Sequence, residues 1–438
     1  MNELTAVGQI ICFGYFQAAV RFKNDKEETL IMTQKYNKEL KPAYTMLTVM
    51  EEAGRCLLCH DAPCTKSCPA GTDPARFIRS VRFRNFKGAA ETVRVNNALG
   101  AVCARVCPTE RYCQEGCSRS GIDKPIDIGG IQRFITDFEE KSGMVILEKG
   151  EANGKKVAVA GSGPAALQAA AELLQKGYAV DIYEKSDKAG GFLRTGIPEY
   201  RLPNRIVDVE VERIAALGAN FIYNTEVGED IAVEKLKADY DAVLIAVGIS
   251  EPMTLELFKD CEAAIPAVTF LNEVKSKAGA VEVPDNVLVI GGGDSAMDAA
   301  ATLKLLGVKN VTNVTRKELA DFRASKEELE IARAQGVTII DGYAPTAVDG
   351  KTVTFKHRRI NSEIRIEADM IILAVGQYTT AHKLGLNIVK NEVDFAGSKA
   401  GENVFVAGDI AQGDKTVVYA VRKGKEAAAA IDMYLGGK

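Results

Sequence analysis

Eight of the ten cysteines in this 438-residue chain fall between positions 56 and 117. They form two groups, Cys56-x2-Cys59-x4-Cys64-x3-Cys68-Pro69 and Cys103-x3-Cys107-Pro108-x4-Cys113-x3-Cys117. A four-iron cube takes four protein ligands, so eight thiolates in two groups could hold two [4Fe-4S] clusters, and a Cys-Pro ending often marks a cysteine that ligates the other cluster. Paired short-spaced cysteines also make structural zinc sites, which is the alternative chemistry. Cys56-Leu57-Leu58-Cys59-His60 further matches the pattern of c-type haem attachment, but Cys64 and Cys68 follow too closely for that to be economical. A redox-inert ion would have no evident task beside the nucleotide loops that come next, and this order reads as clusters wired to a flavin.

The first loop lies in KKVAVAGSGPAALQAAAELLQKGYAVDIYEK, from Lys155 to Lys185. A buried apolar strand leads into Gly161-x-Gly163-x-x-Ala166, an Ala-rich helix, and a second strand ending in Glu184. Gly161 permits the tight turn, Gly163 lets the backbone approach a pyrophosphate, Ala166 allows close helix packing, and the helix N-terminus stabilises the anion. Glu184, twenty-three residues after Gly161, is positioned for ribose hydroxyls. A second unit starts at Asn286, with Gly291-x-Gly293-Asp294-x-Ala296 again between strand and helix. Two units imply two nucleotides.

These loops need elements to hold them. Pro74 to Asn85 and Gly88 to Asn96 have helical periodicity, a further helix opens near Gly129, and Gly143 to Gly154 has the composition of a linker. Two short apolar strands end at Gly248 and Gly376, and Asn403-Val404-Phe405-Val406-Ala407-Gly408-Asp409 stands near the end. Lys+Arg 55 against Asp+Glu 59 gives a net charge of -4, with no basic excess for nucleic acid or an anionic membrane. Clustered cysteines in a long chain argue for a reducing compartment, so a cytoplasmic location is expected. The apolar run Gly8 to Val20 lacks a basic flank and is too short to span a bilayer. It is assigned no function, and Cys12 within it reads as a spare thiol.

The paired loops, the glycine-ended strands and Gly408-Asp409 resemble the two-dinucleotide flavoprotein reductases. The segments Ala53 to Cys64, Asn97 to Glu110, and Gly196-Ile197-Pro198-Glu199-Tyr200-Arg201-Leu202-Pro203 narrow this. From about Lys41 onward the chain resembles the glutamate synthase small-subunit family of flavin reductases, most of all its bacterial dihydropyrimidine dehydrogenase branch. The resemblance implies an α/β chain, with an all-helical iron-sulfur domain followed by two Rossmann-like domains, the FAD domain being interrupted by the NAD(P) domain. The expected limits are 1–40 for an extension of unknown role, 41–150 for the helical domain, 151–250 and 377–438 for the FAD domain, and 251–376 for the NAD(P)H domain. Gly248 and Gly376 would be the crossing points, Gly408-Asp409 would approach the ribityl chain and pyrophosphate, and Gly191 and Arg201 are further candidates for cofactor binding.

For ligation, the resemblance implies Cys56, Cys59, Cys64 and Cys117 on one cluster. On the other it implies Cys68, Cys107, Cys113 and an unusual Gln132, where counting alone would choose Cys103. A neutral oxygen in place of a thiolate would shift that cluster's potential. NAD(P)H is expected at Gly291, Gly293, Asp294 and Ala296. Arg316, Lys317 and Arg323 would suit a 2′-phosphate, or form a solvated loop of mixed charge, so NADH and NADPH both stay open. Electrons would pass from NAD(P)H through FAD and the clusters to a partner bearing FMN and iron-sulfur clusters, which reduces uracil or thymine at the 5,6 bond. No side-chain acid or base is needed here, and no catalytic triad is nominated. The rival readings are a glutamate synthase subunit or another flavin reductase, and a zinc-stabilised nucleotide-binding scaffold without turnover.

Overall fold

The structure, a computed structural model, describes residues 33–393 and 398–437. Most of the expected extension, with Cys12, lies outside the described residues. The chain forms two compact units, one comprising Leu40–Ile197, Arg201–Met253 and Val375–Lys438, the other Pro198–Tyr200, Thr254–Ala374 and the segment up to Glu39.

The first unit opens with helices. They are α1 (Met46–Gly54), α2 (Pro74–Arg82), α3 (Phe86–Asn96), α4 (Gly100–Val106) and α5 (Ile128–Lys141). Local chemistry starts each of the long ones: Asp73 accepts from Arg76 N with Pro74 at the first turn, Asn85 accepts from Gly88 N, and Asp127 from Gly130 N. Phe77, Ile78 and Val81 then fall on one face of α2 and are buried with Val93, Ile131 and Ile135 in a small helical core.

A parallel sheet follows. Strands β1 (Lys156–Ala160), β2 (Ala179–Tyr183), β3 (Asn220–Ile222) and β4 (Ala242–Ile245) alternate with α6 (Pro164–Gln175) and α7 (Asn204–Ala216). The four residues of β4 are all buried, as a strand covered on both faces requires. The expected linker Gly143 to Gly154 is irregular but packed. Ile146 joins the helical core, Leu147 joins the sheet core, and Gly150 N donates to Leu174 O at 3.0 Å.

The second unit has its own sheet, with β5 (Ala264–Pro266), α8 (Ala267–Ser276), β6 (Asn286–Ile290), α9 (Asp294–Leu305), β7 (Asn310–Val314), α10 (Lys326–Ala334) and β8 (Thr338–Ile340). An antiparallel trio follows, β9 (Tyr343–Asp349), β10 (Thr352–His357) and β11 (Glu363–Glu367), before β12 (Met370–Leu373) returns to the sheet in the order β5-β12-β6-β7-β8. Tyr36, the end of the expected extension, is fully buried in this unit with its ring 6.1 Å from that of Tyr200.

Back in the first unit, β13 (Val404–Val406) completes the order β13-β4-β1-β2-β3, and α11 (Val417–Tyr434) packs on α6. Where the chain leaves and returns, Glu251–Pro252 pairs antiparallel with Gln377–Tyr378 and Met253 N donates to Gly376 O at 3.0 Å. Gly248 and Gly376, at φ +69° and +123°, supply the turns that bring those strands together.

Candidate functional site

The turn after β1 is shaped by close backbone approach. A Cβ on Gly161, at φ +93°, would lie 2.7 Å from Ala246 O at the end of β4, whereas nothing stands within 4 Å of the space above Gly163. Open space over a helix N-terminus that no side chain caps is the cradle a pyrophosphate fits. Gly191 packs close to it, its Cβ position 3.0 Å from Gly163 Cα, and the Cβ position of Gly408 lies 3.2 Å from Ala165 Cβ. Ala166 is fully buried. Glu184 is buried and held by Ser162 N at 3.2 Å, Ser186 N at 2.9 Å and the Ser162 hydroxyl. Ser162 was not singled out by the motif, which leaves its position unspecified. Burial pushes Asp409 up to about 6, with Lys415 opposing and Asp414 adding to the shift. Arg201 is half-buried, next to Tyr200.

The turn after β6 repeats the plan. A Cβ on Gly291 would meet Ala374 O at 2.3 Å, and Gly293 has nothing within 4 Å. Ala296 is fully buried. Asp294 accepts from Ser325 N at 2.7 Å, while Arg323 N and Ala324 N donate to Gly292 O, so the segment after β7 is anchored to the loop. Arg316 and Lys317 line a cavity of about 270 Å³ together with Glu318, Asp321 and, from the turn between β10 and β11, Arg358 and Arg359, so that four cations face two carboxylates there. Arg359 pairs with Glu318 at 2.8 Å, whereas Arg316, Lys317 and Arg358 have no carboxylate partner among the described residues. Arg323 does not line this cavity. Sequence reading missed Arg358, because it reaches the site from a different part of the chain.

Four cysteines, Cys56, Cys59, Cys64 and Cys117, line one cavity with Ile78 and Ile128. Leu58, at φ +53°, provides the bend between the first two, and Arg82 donates to Cys56 O at 3.3 Å. Burial pushes the Cys64 thiol up to about 11, and Cys117 and Cys56 add to the shift. The second group is deeper. Burial raises Cys107, with Cys103, Cys113 and Cys68 adding, and pushes Cys103 up to about 12 against a hydrogen bond from Asn97. Thiols held this way favour the thiolate only beside a strong cation, which bound iron supplies. Among the described residues no three of Cys, His, Asp or Glu close on a single ion. Thiols spread around a cavity suit a polynuclear cluster, whose several irons span them. Gln132 is buried on α5 and its Nε2 donates to Gly100 O at 2.8 Å, which orients the amide and leaves Oε1 as its acceptor atom. Cys103 stands by Cys68 and Cys107 and so neighbours the second group, while Gln132 is tied to the start of α4, the helix that carries Cys103.

The cysteines and the first nucleotide loop belong to one packed body. Leu99, Val102 and Cys103 share the core of β1, α6 and β4, and Cys68, Cys107 and Tyr112 pack against it. Arg94, buried between the helices and the sheet, donates to Glu139 at 2.9 Å, Glu210 at 2.8 Å and Ala98 O at 2.6 Å. Burial opposes its charge, but Glu210 and Glu139 outweigh that and hold the guanidinium above its ordinary value. Glu210 also accepts from Ala101 N at 2.9 Å, fixing the start of α4. Tyr112, between Cys107 and Cys113, donates its hydroxyl to Asp414 just after Gly408-Asp409, and Lys425 of α11 donates to Ala70 O at 2.9 Å.

Residues 33–144 match the family described as dihydropyrimidine dehydrogenase domain II, 4Fe-4S cluster, and residues 155–424 match pyridine nucleotide-disulphide oxidoreductase. The NAD-dependent dihydropyrimidine dehydrogenase subunit PreT of Escherichia coli K12 is 53% identical, over 92% of this chain and 98% of its own. The NADP(+)-dependent formate dehydrogenase subunit beta of Moorella thermoacetica is 33% identical, over 85% of this chain and 60% of its own. Among solved structures, Mycobacterium tuberculosis FprA in complex with NADPH aligns at TM-score 0.55 and 18% identity, over 64% of this chain and 84% of that one. That likeness speaks for the fold. No helix among the described residues is long and apolar enough to cross a membrane.

Proposed function

The chain belongs to the family of NAD-dependent dihydropyrimidine dehydrogenase subunits, iron-sulfur flavoprotein oxidoreductases that use NAD(P)H, and on that premise we propose that it is the electron-input subunit of such an enzyme. Its partner would bear FMN and iron-sulfur clusters and would reduce uracil or thymine to the 5,6-dihydropyrimidine. The carrying observation is the order of packing: Cys68, Cys107 and Tyr112 lie against the core of the first nucleotide sheet, Cys56, Cys64 and Cys117 lie in the helical core, and Cys113, buried in that helical core beside both Cys68 and Cys64, stands between the two groups.

Bound nicotinamide, flavin and clusters supply the hydride acceptance and its division into single electrons. The chain's residues bind, orient and insulate. We assign residues 251–376 to NAD(P)H, with Gly291, Gly293 and Ala296 admitting the pyrophosphate. Residues 151–250 and 377–438 are assigned to FAD, with Gly161, Gly163 and Gly191 around its pyrophosphate, Glu184 accepting from ribose, and Asp409 accepting from the ribityl hydroxyls. Arg201, Gly248, Gly376 and Gly408 complete that assignment. The outer cluster takes Cys56, Cys59, Cys64 and Cys117, and the inner one Cys68, Cys107, Cys113 and Gln132. Arg316, Lys317 and Arg358, unpaired around one cavity, favour acceptance of a 2′-phosphate, hence NADPH as well as NADH.

Anaerobic recovery of the tagged chain from its native cells tests this reading. A stoichiometric FMN- and cluster-bearing partner, with NADH or NADPH oxidation that depends on uracil, is expected. A glutaminase-bearing partner instead would make the chain a glutamate synthase subunit.

A further inference from the structure

We propose that the rim of the Cys56–Cys64 cavity is the docking surface for the electron-accepting partner, and that it is recognised by an acidic face of that partner. The inference rests on the electron-input reading above. It starts from a contrast between the two cysteine groups. Cys103 and Cys113 are 4% and 7% exposed, and Cys68 and Cys107, though half-buried like the outer four, pack against the core of the first nucleotide sheet. Cys56, Cys59, Cys64 and Cys117 instead share one cavity that Leu57, itself 45% exposed, helps to line.

Helix α2 forms one wall of that cavity through Ala75 and Ile78. Its other positions, and the turn after it, carry Arg76, Arg79, Arg82 and Arg84 with Phe83, all exposed. Arg76, Arg79 and Arg84 have no carboxylate partner among the described residues, and Arg82 reaches back to donate to Cys56 O. Asp61 is paired with Lys66 and Asp123 with Arg119 and Arg55, while Glu51 and Glu115 are exposed carboxylates near the cysteines with no ion pair among the described residues. A chain whose net charge is -4 thus presents arginines without carboxylate partners on the helix that walls its cysteine-lined cavity.

An exposed Phe83 or Leu57 alone would be unremarkable, since single apolar residues are common on surfaces. Charge decides the occupant. Redox encounters use small interfaces, and complementary charge steers and orients them. Arginines on the helix beside an apolar, cysteine-lined cavity therefore select a partner with Asp and Glu beside its own redox group.

The test uses the full chain loaded with its cofactors, and the copurified FMN- and cluster-bearing subunit as probe. Arg76→Glu, Arg79→Glu and Arg84→Glu are combined, and Arg82 is left intact because of its bond to Cys56 O. The expected result is partner binding weakened about tenfold or more at low salt, with a flatter salt dependence. NAD(P)H-driven reduction of menadione, a small neutral acceptor, and the flavin and cluster absorbance should be unchanged. Parent-like affinity and salt dependence in the triple variant would overturn the docking surface and leave the electron-input reading standing. If the parent chain recovers no FMN-bearing subunit, or the complex does not respond to uracil, both fall together.

Discussion

Asp409 shows how a single side chain links burial to cofactor binding. Burial raises its carboxyl to about 6, because desolvation disfavours the charged form. The folded value lies above the unfolded one. Its contribution to stability is therefore fully present below the unfolded value and is lost as pH rises towards 6. Ribityl hydroxyls that donate to the carboxylate reverse the preference, since they bind the ionised form. FAD affinity of the apoprotein should rise between about pH 5 and 7 and then level off, read by quenching of flavin fluorescence, and Asp409→Asn should bind more weakly with no such slope. Arg358 makes a second residue-scale prediction. Arg358→Ala should cut kcat/KM for NADPH about tenfold by removing a charge-assisted hydrogen bond, and leave NADH nearly unchanged. An equal loss with both nucleotides would move Arg358 out of the 2′-phosphate site.

At the scale of elements, the two strand-turn-helix units separate folding from binding at neighbouring glycines. Space above Gly163 is open, whereas a Cβ on Gly424 of α11 would stand 2.4 Å from Ala165 O. Gly163→Ala should keep the parent's thermal stability as apoprotein and lose FAD. Gly424→Ala should cost about 1–3 kcal/mol through overpacking of α11 against α6, despite the better helix propensity of alanine. Thermal melts with and without FAD check both.

These elements were largely legible in the sequence. Gly161 and Gly291 follow apolar strands, and the helices begin at Asp73, Asn85 and Asp127 because local capping chemistry is written in adjacent residues. What stayed hidden depends on distant partners. Arg94 meets Glu139 and Glu210, 45 and 116 residues away, and looks like any surface arginine of an amphipathic helix. Arg358 reaches the second nucleotide unit across a hairpin. Gly143 to Gly154 has a linker's composition, yet Ile146 and Leu147 each enter a core.

Across the whole first unit, Arg94 ties cysteine-bearing helices to the sheet of the flavin loop. Arg94→Met would leave the buried Glu210 without its cation and Glu139 with Arg213 alone, and a loss of about 3 kcal/mol is expected. Hydrogen exchange should locate the loosening at α4 and α7, where Ala101 N and Glu210 meet. Exchange that stays at parental rates there would mean that apolar packing alone holds the helices in place.

The central claim is that one chain carries a flavin and two clusters in electronic series. Its most direct test is an anaerobic NADH titration of the purified chain without any partner, followed by visible and electron paramagnetic resonance spectra, with iron and flavin assayed on the same sample. About eight irons for each FAD are expected, with cluster reduction that follows flavin bleaching in the isolated chain. Zinc in place of iron, or clusters that stay oxidised beside a fully reduced flavin, would contradict it.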